Sequence, residues 1–402
     1  MLFDNAVVSR ISFQSKLVAL MIFILMAPVF FWPFMFLSFA LSAALLCFII
    51  VTQDFIDRKN LAVSVLVFFA LAAFKNLQGA SIQGALFFSV ATSALIVIRP
   101  GVMVRSFHYL KMILACFIVL GAIVWFVHFL SNNSSLLLLG FVPDEYVLNQ
   151  LKVESGDRYA VYPFLTRIVY GSVDGFYRFQ GIFDEPGYLG TVCALIFISG
   201  KCDLKGFSNK LVFLGGALTL SLAFYIIVAI YWLLYLIPRP DSLFKGIIYA
   251  LVSVALIYSV PAGRDIADRY IIDRLAIEGG VLSGDNRSAK GLDQSFDYFL
   301  REARFEERAL GLERYQLDGS SSIKQVPVTT GYVGVFLIIY VFSLLLLINY
   351  SALNYESLIY VLVFALSAYQ RPDIMNPVFV YIFIVGLLVS RSPKKYDACS
   401  RI

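Results

Sequence analysis

The chain alternates long apolar runs with short polar breaks over most of its length. The run "LVALMIFILMAPVFFWPFMFLSFALSAALLCFII", Leu17 to Ile50, carries no charged residue. Such runs cannot be kept in water and read as membrane-spanning helices. The pattern predicts twelve spans, at roughly 17–32, 33–51, 61–77, 80–98, 109–130, 186–200, 210–223, 224–237, 245–260, 327–348, 355–370 and 374–390. The stretch 210–237 is long for one span and short for two. Two kinked or half-spans meeting near Ser221 preserve the orientation of everything downstream.

Two polar stretches interrupt this rhythm. They divide the chain into 1–130 (five helices), a first large loop at 131–185, helices six to nine at 186–260, a second large loop at 261–326, and three helices with a tail at 327–402. The second loop holds its own periodicity. Ile266, Tyr270, Ile271 and Leu275 recur at helical spacing, as do Leu292, Phe296, Phe299, Leu300 and Ala303. Both segments predict amphipathic helices with an apolar face for the membrane surface or a partner helix. The expected fold class is therefore an all-α polytopic membrane protein whose two large loops contain short amphipathic helices.

Charge adds orientation. Arg10, Lys16, Arg58, Lys59, Arg99, Arg105, Lys111, Lys201, Lys205, Lys210, Arg239, Lys245, Arg391, Lys394 and Lys395 fall on one side of this scheme. The short turns on the other side hold only Lys75 and Arg371. Lys/Arg-rich loops stay in the cytoplasm, so both termini are expected there and both large loops outside. Composition agrees: 60% of the 402 residues are hydrophobic and 15% are charged, about half the charged share of a soluble domain. The five cysteines avoid both large loops, and the two histidines, His108 and His128, flank one apolar segment. That pattern points to neither a disulfide framework nor a His/Cys metal site. No cofactor and no nucleic-acid partner is expected.

Three constellations carry candidate chemistry. The first is "YRFQGIFDEPGYLG", Tyr177 to Gly190, at the mouth of the sixth span. One reading is helix initiation, with Asp184 or Glu185 as cap and Pro186 in the first turn. That leaves Arg178, Gln180 and Gly181 unexplained. The other reading is a partly desolvated carboxylate beside a guanidinium. Such a carboxylate can have its pKa raised and act as a general base, and the guanidinium can clamp a phosphate bidentately. The second is "GGVLSGDNRSAK", where Asn286 or Ser288 could cap a helix and place Arg287 at an anion-favouring N-terminus. The alternative there is a surface turn with Arg287 paired to Asp285. The third is "YQRPDIMNP", Tyr369 to Pro377, with Arg371 and Asp373 near hydrocarbon depth, where charge is costly and usually functional. A self-compensating Arg371–Asp373 pair is the alternative.

A glycosyl transfer outside the membrane has no nucleotide to draw on, so the energy must arrive with the substrate. A lipid-linked diphosphate sugar meets that need. The reaction requires a base for the acceptor hydroxyl and cations for the departing diphosphate. Here the chain resembles the Wzy-type O-antigen polymerases. The resemblance rests on the span pattern, the two large loops, "RFQGIFDEPGYLG", "SGDNRS" and "YQRPDIMNP". It implies a bacterial inner-membrane enzyme that moves a growing glycan from undecaprenyl diphosphate to the non-reducing end of an incoming lipid-linked repeat unit. A flippase and a chain-length co-polymerase are the implied partners, beside membrane lipid.

Carried over, Glu185 is the leading base with Asp184 second. Arg178 and Arg287 hold the donor diphosphate, and Arg371, with Gln370 and Tyr369 beside it and Asn286 in the second loop, contributes to substrate binding. Arg158, Arg167 and Asp174 are weaker candidates for acceptor contacts. The related ligases typically show a Ser-Arg pair in a middle span and a second-loop histidine. Here Leu222 follows Ser221 and the second loop has no histidine. A flippase without chemistry would favour internal repeats and mid-membrane polar groups. A purely structural assembly protein would not require the Arg–Glu constellation.

Overall fold

A computed structural model describes residues 2–52, 58–131, 137–143, 158–169, 177–238, 258–268, 277–278, 281–282, 290–312, 322–349, 353–371 and 373–391, with single positions at 244, 248 and 272. The helices are α1 (Leu2–Leu25), α2 (Met35–Val51), α3 (Arg58–Leu77), α4 (Ile82–Val97), α5 (Pro100–Leu130), α6 (Pro186–Ser199), α7 (Phe207–Leu218), α8 (Leu222–Leu236), α9 (Pro261–Ala267), α10 (Lys290–Arg301), α11 (Phe305–Leu310), α12 (Gln325–Ile348), α13 (Tyr355–Gln370) and α14 (Pro377–Arg391). Three stretches, Asn60–Leu77, Pro100–Leu130 and Gln325–Ile348, are long and apolar enough to cross a membrane, and seven further apolar helices are shorter. This is the make-up of a helical membrane protein. Among the described residues three helices have spanning length and seven apolar ones are shorter, which leaves the expected number of twelve spans unconfirmed. The expected span at 245–260 falls almost wholly outside the described residues.

The boundaries differ from the sequence pattern where proline acts. The run 17–32 does not continue as one helix: α1 ends at Leu25, Ala27 takes φ 50°, and Val29–Phe34 forms a 3-10 turn before α2. Pro28 and Pro33 disfavour helical geometry in the residues before them. By contrast α5 begins at Pro100 rather than 109. Its polar first turns are accommodated by partners such as Asn209, whose Oδ1 accepts from Lys111 Nζ at 2.8 Å. The long stretch at 210–237 breaks where expected. Thr219, Leu220 (φ 46°) and Ser221 separate α7 from α8.

The core is built on two short helices. Every residue of α6 from Leu189 to Ser199 is buried, and Val378, Val380, Tyr381, Ile382, Val385 and Leu387 of α14 are wholly inaccessible. α14 packs on α13, α6, α4, α5 and α1. Tyr381 and Ser106 share a 2.7 Å hydrogen bond, and Tyr360 of α13 donates to the Ile382 carbonyl at 2.8 Å. A 14-residue helix such as α6 rises only about 21 Å against a hydrocarbon core of about 30 Å. Alone it is too short to reach from one interface to the other.

The all-α expectation is corrected in both loops. The first holds an antiparallel sheet, β1 (Gly140–Phe141), β2 (Arg158–Tyr162) and β3 (Leu165–Val169), in the order β1-β2-β3. Tyr162 pairs with Leu165 across Pro163 and Phe164, and Phe164 adopts φ 61°. Proline followed by a positive φ is the signature of a type II turn. Tyr159 and Ile168 bury one face of the sheet against Trp32 and Val29 of the 3-10 turn.

In the second loop, Ile266 of the first expected amphipathic segment lies in α9, Tyr270, Ile271 and Leu275 fall outside the described residues, and a small hairpin of β4 (Ile277–Glu278) and β5 (Val281–Leu282) follows. The second amphipathic helix is α10, and its apolar face meets a partner helix. Leu292 and Phe299 are buried with Val328 of α12, and the Phe299 and Tyr332 rings lie 5.3 Å apart. Leu300, expected on that face, is 45% exposed. α12 kinks at Gly331 (φ 62°), where a Cβ would stand 2.2 Å from the Ala309 carbonyl oxygen. The backbone at the end of α11, from Ala309 to Gly311, thus docks directly into the kink.

Candidate functional site

The stretch 177–187 is fixed by its backbone first. Gly181 takes φ +56°, in the left-handed region glycine adopts without cost. Its carbonyl accepts from the Thr166 amide of β3 at 2.6 Å, and the next carbonyl, of Ile182, accepts from the Val29 amide at 2.9 Å. Buried Gln180 donates Nε2 to the carbonyls of Phe183 (3.0 Å) and Asp184 (3.3 Å). The turn is therefore clamped between the sheet and the 3-10 turn, and it delivers Glu185 to the start of α6.

Glu185 occupies the N-cap position and Pro186 the first helical position, as helix initiation requires, but the Glu185 side chain makes no capping bond. Its carboxylate instead forms an ion pair with Arg371 Nη2, from a residue 186 positions away. The two side chains are 28% and 16% exposed. The expected alternative of an Arg371–Asp373 pair is not what forms: Asp373 faces Lys75 Nζ at 3.4 Å. The Arg371 guanidinium lies 6.0 Å from the centre of the Tyr188 ring, and its Nε is buried without a partner. Burial opposes its charge, but the Glu185 carboxylate, with Asp184 behind it, outweighs burial and holds the guanidinium pKa above its ordinary value.

Arg178 is anchored on a second element. Its Nε donates to the Thr219 carbonyl at 2.8 Å, in the turn between α7 and α8. Thr219 and Ser221 are buried there, and α6 approaches so closely that a Cβ on Gly190 would stand 2.5 Å from the Ser221 Cβ. Glycine at 190 is what admits the turn. Asp184 is half-buried beside Glu185.

The first and third constellations thus meet at the mouth of α6. Among the remaining candidates, Tyr369 is 58% exposed near the end of α13, and Gln370 is the last residue of that helix. Arg158 opens β2 opposite Val169. Arg287, Asn286 and Asp174 lie outside the described residues. Arg167 is 4% exposed and belongs to a different cluster beneath the sheet. Its Nη1 meets His128 Nε2 at 2.9 Å, and its guanidinium lies 4.4 Å from the centre of the Tyr177 ring.

Reading the sequence missed His128, Thr219, Lys75 and Tyr188. A histidine one turn from the end of an apolar helix was the available signal for the first. The others have no local signature, because each meets its charged partner only through the packing of distant helices. No family model, no curated protein and no solved structure matches this chain.

Proposed function

We propose that the chain is a membrane glycosyltransferase of the O-antigen polymerase type, with the Glu185–Arg371 pair at its centre. That pair carries the reading: two polar constellations, each costly at the edge of an apolar bundle, are brought into one site with a carboxylate and a guanidinium in contact. In this mechanism Glu185 accepts the proton of the acceptor hydroxyl. The acceptor oxygen attacks the anomeric carbon, and the bond from that carbon to the lipid diphosphate breaks. The bonding pair leaves on the diphosphate. Arg371 holds Glu185 through Nη2 and keeps its Nε–H for a diphosphate oxygen. Arg178, whose Nε is fixed on the Thr219 carbonyl, is proposed as the second cation for the diphosphate.

A lipid-linked substrate also needs room for its tail. An apolar cavity of about 550 Å³ lies between α12 and α13, lined by residues such as Ile338, Phe342 and Phe364. It reaches Ile374, three residues from Arg371, and Lys324 contributes to its lining.

The test is reconstitution of the protein in lipid vesicles with an undecaprenyl-diphosphate-linked repeat unit, without nucleotide and with EDTA. Glycan length on the lipid is read by gel. A ladder that Glu185→Gln reduces by roughly a hundredfold or more supports the reading, since a positioned base contributes about 10²–10⁴-fold. A single unextended band from folded wild-type protein sinks it. A ladder that survives the substitution removes Glu185 as the base.

A further inference from the structure

We infer that the cluster of His128, Arg167 and Tyr177 beneath the sheet is a binding site for a single oxyanion, a carboxylate or a phosphate. It is separate from the Glu185–Arg371 pair. The inference stands on the donors the cluster leaves open. Arg167 is 4% and His128 1% exposed. Arg167 Nε and Nη2, His128 Nδ1 and the Tyr177 hydroxyl are all buried without a hydrogen-bond partner.

The protonation pattern follows from chemistry. A guanidinium can only donate, so His128 Nε2, 2.9 Å from Arg167 Nη1, must accept. The ring proton then sits on Nδ1, which becomes a donor. Burial raises the Tyr177 phenol pKa, with Arg167 pulling the other way and Tyr162 adding to the rise, so this group also keeps its proton. Every unpartnered atom of the cluster is therefore a donor, and the cluster carries a positive charge. Nε and Nη2 form one edge of the guanidinium, the edge that presents two parallel N–H groups to a carboxylate or phosphate.

Water can satisfy hydrogen bonds but offers no counter-charge. A buried guanidinium whose two-donor edge has no hydrogen-bond partner is complementary to an anion. Tyr162 and Tyr177 are partly exposed at the edge of the cluster, and the Tyr162 ring stands 4.9 Å from His128. An inorganic phosphate or the carboxylate arm of an acidic sugar has the required chemistry.

The experiment uses the full chain in phosphatidylcholine nanodiscs. Thermal unfolding is followed while inorganic phosphate or glucuronate replaces chloride at constant ionic strength. Trp125, whose Nε1 donates to the Tyr177 carbonyl at 3.1 Å and whose ring lies 6.4 Å from that of Tyr177, gives a second readout through its emission. The expected result is a saturable rise in Tm of about 2–4 °C at a hundredfold excess over Kd. A change in Trp125 emission should saturate at the same concentration. Arg167→Lys should abolish both, because a point charge lacks the two-donor edge. Tyr177→Phe, which keeps the ring against the guanidinium, should weaken binding several-fold.

A response to glucuronate alone assigns the site to a sugar carboxylate, and a response to phosphate alone to a phosphoryl group. Either supports the inference. No saturable response beyond chloride overturns it, as does an equal response from Arg167→Lys and Tyr177→Phe. None of these readouts depends on glycan transfer, so the outcome is independent of the proposed polymerase activity.

Discussion

At the scale of single residues, the informative groups are charges held where charge is costly. Arg178, Glu185 and Arg371 could be picked out from the sequence because each stands against long apolar runs. What could not be read was who meets whom. Arg371 turned to Glu185 rather than to its neighbour Asp373, and Lys75 took Asp373 instead. Such choices depend on helix packing, which leaves no trace within a short window of sequence. Arg178 offers the sharpest single-residue test. It spends Nε on the Thr219 carbonyl, and a lysine has no equivalent of that donor together with a fork for phosphate. A hydrogen bond to a charged group contributes about 1.5–3 kcal/mol, so Arg178→Lys should lower the rate of glycan extension roughly ten- to hundredfold despite keeping the charge. Near-normal ladders in the vesicle assay would remove Arg178 from the site.

At the scale of elements, hydropathy located the apolar helices well, because burial in lipid or in a core leaves the same continuous signal. It failed where that signal is short. "RYAVY" and "LTRIV" are five-residue strands with an arginine in each, too brief for their alternation to stand out from a polar loop. The break at 219–221 was visible in length alone; the reason for it, the close approach of α6 at Gly190, was not. Gly190→Ala should push the turn away from α6, lower Tm, cost about 1–3 kcal/mol and displace the carbonyl that anchors Arg178. Gly200→Ala, whose nearest contact is 3.4 Å, is the matched control and should leave Tm nearly unchanged. Equal melting of the two variants would refute the close approach. For the second loop, Phe299 is the wholly buried anchor of α10 on α12. Phe299→Ala should cost about 3–5 kcal/mol of docking and expose 290–312 to limited proteolysis, with the helical bundle left intact. An unchanged digestion pattern would show that the docking rests on other contacts.

At the scale of the whole molecule, the site is a joint between distant parts of the chain, and this is why it was least legible. Helices that are apolar on nearly all sides give no indication of their neighbours. The pairing of α6 with α14, and of both with α13, is written in close contacts such as the Tyr360 ring against Gly386. The joint can be measured. A double-mutant cycle of Glu185→Gln and Arg371→Met, read by thermal unfolding in detergent, should give a coupling of about 0.5–3 kcal/mol; strict additivity would mean that the pair contributes nothing to the fold. The distance between the partners along the chain also sets a clock. A ribosome that has just released Glu185 must add 186 more residues before Arg371 exists, roughly ten to forty seconds at ordinary synthesis rates. Through that interval α6 stands without α14, the helix that completes its burial. A nascent chain released before that point holds the Glu185 carboxylate without its Arg371 partner.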